Sequence, residues 1–155
     1  MSLPVVNKKA PTFTLPASNG EKVKLADLSN KIVVLYFYPK NDTPGCTTQA
    51  CGFRDGIKKI EKADAIVLGV SPDTVIKHNK FIDKYDLPFL LLSDEEHKVS
   101  EKYGVWVEKN MYGRKYMGIA RTTFIIKDGK IEHVFNKVKP KEHLNDVLEV
   151  LKTIK

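Results

Sequence analysis

The run IVVLYFY at residues 32–38 constrains the fold more than any other stretch of the chain. Side chains alternate between the two faces of a strand, so seven successive β-branched, aromatic or leucine residues make a strand apolar on both. Such a strand has to be covered from above and below, as inner strands are in a sheet flanked by helices. A sheet with one wet face is excluded. The run AIVLGVS at 65–71 has the same character, and FLLL at 89–92 reads as a third, shorter strand. Between them Ala50, Phe53, Ile57 and Ile60 recur at helical spacing, as do Val75, Ile76, Phe81 and Ile82, with Asp73 placed to cap the second helix. This alternation of buried strands and amphipathic helices predicts an α/β protein with a central mixed sheet flanked by helices.

The flanks are simpler. Segments 13–15 and 21–25 surround Asn19-Gly20, a turn pair that predicts an N-terminal β-hairpin extension. Segments 122–126 and 131–135 predict a second hairpin across Asp128-Gly129. Ser93 or Asp94 is placed to cap a short helix running toward Tyr103. Pro140 is expected to open a last helix whose Leu144, Val147, Leu148, Leu151 and Ile154 form one apolar stripe. Residues 105–118 carry aromatic and basic residues in no assignable pattern. No linker or break in composition divides the 155 residues, so one domain, 1–155, is expected. Although 42% of residues are hydrophobic, no run approaches the ~18 apolar residues of a membrane-spanning helix. Residues 1–10 mix Pro, Asn and Lys and lack the apolar core of a secretory signal, so a cytoplasmic, reducing location is expected.

The formal charge of +7, from 26 Lys and Arg against 19 Asp and Glu, invites a nucleic-acid reading. The distribution opposes it. Lysines are spread along the chain, and arginine occurs only at Arg54, Arg114 and Arg121. A lysine-rich solvated surface is the simpler account, with attraction of small anions or acidic proteins left open.

Two cysteines are too few for a disulfide scaffold or a cysteine-based zinc site, and four scattered histidines, read as surface or helix-end residues, offer no pair at ligand spacing. No metal and no bound cofactor are expected. Cys46 follows a buried strand and a Pro/Gly-rich loop and falls in the first turn of a helix, beyond the carboxyl end of a strand, where α/β proteins bind ligands. Unpaired N–H groups and the helix dipole there favour thiolate over thiol. Pro44 and Gly45 are expected to leave the sulfur reachable by a small substrate. Cys51 lies five residues on. In an ideal helix the two Cα atoms would be roughly 8–9 Å apart on opposed faces. A disulfide needs less than about 7 Å, so the pair could bond only if the helix start unwinds, which Gly52 would ease. An inert pair of core cysteines remains the competing reading of the spacing alone.

The segment FYPKNDTPGCTTQACGFRD, residues 37–55, resembles the active-site segment of the peroxiredoxins, with Pro39, Thr43 and Cys46 in the family's Pro-x-x-x-Thr-x-x-Cys motif. The spacing to Cys51 resembles the peroxiredoxin Q, or bacterioferritin comigratory protein, subfamily. So do APTFTLP at 10–16, SPD at 71–73, YGVW at 103–106 and GIARTTFII at 118–126. The resemblance implies a thioredoxin-like fold and a thiol-dependent peroxidase. It makes Cys46 the peroxidatic nucleophile, Thr43 a hydrogen-bonding partner of the thiolate and the peroxide, Arg121 the cation beside them, and Pro39 a shield against water. Cys51 becomes the resolving cysteine that closes an intrachain disulfide. It also implies hydrogen peroxide and organic hydroperoxides as substrates, recycling by thioredoxin or a similar dithiol protein, and a role in antioxidant defence and redox homeostasis. A monomer suffices for this cycle, and a dimer is compatible with it. Gln49 stands where many family members carry Glu; its amide carries no charge for a charge-based role but can still hydrogen-bond. Arg54 and Asp55 read as structural, and Trp106 as packing. The alternative on the same fold is a thioredoxin-like thiol-disulfide exchange protein, although the chain lacks the Cys-x-x-Cys spacing.

Overall fold

The computed structural model describes residues 4–154. The apolar run becomes β3 (Ile32–Phe37), every residue of which is buried. It sits at the centre of a five-stranded sheet, parallel to β4 (Ala65–Ser71) on one side and antiparallel to β8 (Thr122–Lys127) on the other. Outside these lie β5 (Leu90–Ser93), parallel to β4, and β9 (Lys130–Phe135), antiparallel to β8, giving the order β5-β4-β3-β8-β9. The mixed α/β sheet read from the sequence is the one observed.

Both faces are covered, as the doubly apolar run requires. On one, Val33, Leu35 and Phe37 pack with Val70, Leu92 and Phe124 beneath Phe13, Leu25 and Tyr103. That layer includes the N-terminal hairpin, β1 (Thr14–Pro16) against β2 (Lys22–Lys24), and α4 (Lys98–Lys102). On the other, Val34, Tyr36 and Tyr38 pack under Cys46, Ala50 and Phe53 of α1 (Pro44–Asp55), Ile60 of α2 (Ile57–Lys62), Phe81 of α3 (Val75–Tyr85), and Val147 and Leu151 of α5 (His143–Ile154). No helix among the described residues is long and apolar enough to cross a membrane.

Several local expectations are corrected. Asp73 does not cap α3: the Thr74 hydroxyl accepts from Lys77 N, and the Asp73 carboxylate turns inward to accept from Asn41 N and Ser71 Oγ. The helical spacing that joined Ala50 to Ile60 is interrupted at Gly56, where Leu144 packs so closely that a Cβ would meet its Cδ1 at 2.6 Å. The last helix begins at His143 rather than Pro140. Asp94 does serve α4, accepting from the amides of Val99 and Ser100. Two histidines read as surface or helix-end residues are buried: His78 at 0% exposure, and His143, which does open α5, at 2%. The unassigned segment is a hairpin, β6 (Trp106–Met111) with β7 (Arg114–Ile119), turning through Tyr112 and Gly113, both at positive φ. Trp106 stacks on His97 with ring centroids 3.8 Å apart, the packing role expected of it.

Candidate active site

The end of β3 delivers the chain into the loop 39–43, and that loop is held on two sides. Tyr38 Oη donates to Asn41 Oδ1 at 2.6 Å, while Asn41 N donates to the buried Asp73 carboxylate at 2.8 Å. The remaining Asn41 amide nitrogen lies 3.0 Å from His78 Nδ1, so Nδ1 accepts and Nε2 carries the proton toward Leu92 O, 2.9 Å away. Burial pushes the His78 pKa down, in keeping with a neutral ring. Asp42, at positive φ, is bonded to Lys84 and Tyr85 of α3. The loop that launches α1 is thereby fixed to β4 and α3.

Thr43 is the residue preceding α1, in extended backbone, and its carbonyl accepts the first helical bond from Thr47 N. Pro44 follows at the first helical position, where its missing N–H costs no hydrogen bond. Cys46 is then the third residue of the helix, where free N–H groups converge. Both cysteines are free thiols on the one continuous helix.

Arg121 enters from the segment just ahead of β8. Its Nη2 donates to Cys46 Sγ at 3.2 Å and its Nη1 to Gln49 Oε1 at 2.6 Å. Gln49 is three residues after Cys46, hence on the same side of α1, and only 2% exposed. The guanidinium is thus fixed against the sulfur at the start of the helix, with Gln49 holding its other nitrogen. Gly45 makes this possible. A Cβ there would lie 3.0 Å from Arg121 Nη2 and 3.6 Å from Pro140 Cγ. The room expected to admit substrate at Gly45 is filled by the arginine and the proline, and Cys46 is 1% exposed rather than open.

Of the residues singled out in the sequence, Cys46 and Arg121 are brought together. Thr43 sits one turn ahead of Cys46, but its hydroxyl donates to the Lys40 carbonyl at 2.9 Å, and no hydrogen bond joins it to the sulfur among the described residues. Pro39 is half-buried where β3 ends. Cys51 is half-buried in the later part of α1. Arg54 bonds Asp55 and the Tyr85 carbonyl, tying α1 to α3.

Two neighbours, His143 and Lys109, escaped the sequence reading, and Gln49, singled out there, finds its hydrogen-bonding partner here. Gln49 anchors Arg121, and its position three residues from Cys46 was the visible signal. His143, bonded to Thr123 Oγ1 at 2.8 Å, has its pKa pushed down to about 4 by burial and then by Arg121. Lys109 of β6 is held below its ordinary value by burial, then by Arg121, with Cys46 acting in the opposite sense. The last observation puts the β6–β7 hairpin within electrostatic reach of the sulfur. What this assembly offers chemically is a cysteine sulfur held beside a fixed cation that can stabilise negative charge on a departing oxygen.

Comparison with known proteins agrees with that chemistry. Residues 6–134 match the AhpC/TSA family. The chain is 50% identical over 148 residues to a peroxiredoxin Bcp of Bacillus subtilis, covering 95% of this chain and 94% of that protein. It is 51% identical over 144 residues to peroxiredoxin Bcp of Escherichia coli, covering 92% of each. The fold superposes on a Xanthomonas campestris peroxiredoxin Q with a TM-score of 0.87 at 38% identity, covering 92% of this chain and 90% of that one. A Xylella fastidiosa peroxiredoxin Q variant gives a TM-score of 0.88 at 34% identity, covering 97% and 98%. The chain belongs to the AhpC/TSA family, and within it to the thioredoxin-fold peroxiredoxins of the Bcp, or Q, kind, which are thiol-dependent peroxidases.

Proposed function

We propose that Cys46 is the peroxidatic residue of this peroxidase and Cys51 its resolving partner, the observation carrying the reading being the 3.2 Å bond from Arg121 to the Cys46 sulfur. The Cys46 thiolate attacks the terminal oxygen of a hydroperoxide. The S–O bond forms as the O–O bond breaks, and Arg121 steadies the charge on the oxygen that leaves as water or alcohol. Cys51 then attacks the Cys46 sulfenic acid, the sulfenic oxygen departs as water, and an intrachain disulfide remains. Because both sulfurs lie on one continuous helix, roughly 8–9 Å apart at the Cα atoms by ideal geometry, this second step needs the start of α1 to unwind.

Thr43 and Pro39 complete the pocket in this reading. The Thr43 hydroxyl would have to leave the Lys40 carbonyl to donate to the sulfur, while its oxygen can accept without moving. Hydrogen peroxide and organic hydroperoxides are the substrates, in line with a Xanthomonas campestris relative, 37% identical, that is described by its alkyl peroxide reduction activity. A dithiol protein of the thioredoxin kind returns the disulfide to thiols by exchange. The chain acts as a single domain over 1–155, as a monomer in the cytoplasm, in antioxidant defence.

The test is a single turnover. Reduced protein is mixed with one equivalent of hydrogen peroxide and quenched within seconds, and free thiols and intact mass are recorded. The reading requires loss of both thiols with a mass fall of about two hydrogens. Survival of both thiols overturns it. Arg121→Ala should slow this step about a hundredfold or more, on the scale of a lost charge-stabilising donor.

A further inference from the structure

Of the seven large apolar side chains that stand exposed among the described residues, four (Met111, Tyr112, Tyr116 and Met117) belong to the β6–β7 hairpin. Such clustering on one projecting element marks a contact surface rather than chance exposure. The hairpin is also basic. Lys109, Arg114 and Lys115 outnumber Glu108, the one acid on either strand, whose nearest cation is Lys115 at 3.9 Å.

Cross-strand register orders these residues. Lys109 faces Tyr116, Met111 faces Arg114, and Val107 faces Gly118. With the two-residue alternation of a strand, all six lie on one side of the hairpin. The missing side chain at Gly118 lets two of them lie down together: a Cβ there would be 3.3 Å from Lys109 Cδ and 3.4 Å from Tyr116 Cε2. Lys109 is also the residue that senses Cys46 and Arg121. Because β7 ends at Ile119, two residues before the Arg121 that bonds Cys46, the strip begins beside the active site and runs outward through Tyr116, Met111 and Arg114 to Tyr112 at the tip.

We propose that this strip is the docking surface for the protein that reduces the Cys46–Cys51 disulfide, a dithiol protein whose reactive face is apolar and rimmed by acidic residues. The inference rests on the catalytic cycle proposed above, which needs one macromolecular partner to reach these sulfurs. Charge selects among occupants. A second copy of this chain would set +7 against +7 and the same cations against themselves. An acidic face meets Lys109 and Arg114 favourably, and Met111, Tyr112 and Tyr116 supply adaptable apolar area for a partner that must also leave.

The experiment uses the full chain and two reductants, bacterial thioredoxin kept reduced by its reductase, and dithiothreitol. The variants are Met111→Ser with Tyr112→Ser, and Arg114→Glu, all at exposed positions. The expected result is a fall of about tenfold in kcat/KM for thioredoxin, with turnover on dithiothreitol within twofold of the parent, and a thioredoxin rate that drops as salt is raised. Unchanged kcat/KM for thioredoxin overturns the proposal. An equal loss on dithiothreitol overturns it too, because the hairpin would then serve the sulfur itself. If the parent binds phosphatidylglycerol vesicles through these residues while thioredoxin kinetics are unaltered, the surface faces lipid and the proposal is again overturned. Failure of the catalytic reading looks different, since the parent would not consume peroxide with either reductant.

Discussion

Gly45 and Arg121 occupy a single space: the volume that a side chain would take at Gly45 holds the Arg121 guanidinium, with Nη2 3.0 Å from the position of the absent Cβ. The glycine is thus an electrostatic requirement of the site rather than an opening in it. Gly45→Ala should push the guanidinium away from Cys46 by a few tenths of an ångström, and the peroxide reaction should slow by about tenfold. Alanine is the better helix former by up to about 1 kcal/mol, so thermal stability should hold or rise. Stopped-flow peroxide kinetics and a melting curve on the same variant check both halves. A slower and less stable protein would mean general disruption instead.

Cys51→Ser should leave the first step intact and remove the second. The variant is expected to consume about one equivalent of peroxide and then stall with thioredoxin as reductant. A small thiol added to the assay should restart turnover by attacking the sulfenic acid directly. Continued thioredoxin-dependent turnover without that addition would show that Cys51 is not the resolving residue.

Stability should fall on the acid side well before the carboxylates titrate. His143 has a folded-state pKa of about 4 against 6.5 unfolded, so between these values the unfolded chain binds a proton that the native protein does not. The contribution is complete above about pH 6.5 and is lost as pH falls toward 4. At most it amounts to about 3 kcal/mol. Buried His78 shifts in the same direction and adds to the slope. Denaturant titrations from pH 7 to 4 should show this decline, and His143→Gln should flatten it. An unchanged slope in that variant would remove His143 as a cause.

Tyr36 carries a buried hydroxyl with no hydrogen-bond partner among the described residues, beneath Phe53 and beside Gly69. Removing an unsatisfied buried group is neutral or favourable. Tyr36→Phe should therefore match or exceed the parent by up to about 1 kcal/mol in chemical denaturation. A loss above that would reveal a partner for the hydroxyl.

How far the sequence carried the fold depended on whether each segment's partners were local. Residues 32–38 and 65–71 announced buried strands because apolar residues filled both faces, and Asp128-Gly129 announced its hairpin because the turn chemistry lies within the turn. The β6–β7 hairpin was illegible for the opposite reason. It projects with much of both faces in solvent, so no apolar alternation marks it, and Tyr112 takes a positive φ more usual for Asn or Gly. At the site, Cys46 at a helix start could be read directly. The Gln49–Arg121 bond spans 72 residues of sequence, and no local pattern encodes it. Burial of His78 and His143 is likewise a property of the packed layers rather than of their own neighbours.

The 75 residues that separate Cys46 from Arg121 have a consequence for the chain while it is being made. As synthesis proceeds from the N-terminus, the cysteine leaves the ribosome long before its cation does. Until Arg121 has emerged and β8 has paired with β3, the sulfur lacks the 3.2 Å bond from that guanidinium. In the proposed cycle, reaction with peroxide therefore doubles as a report that the chain has folded as far as β8.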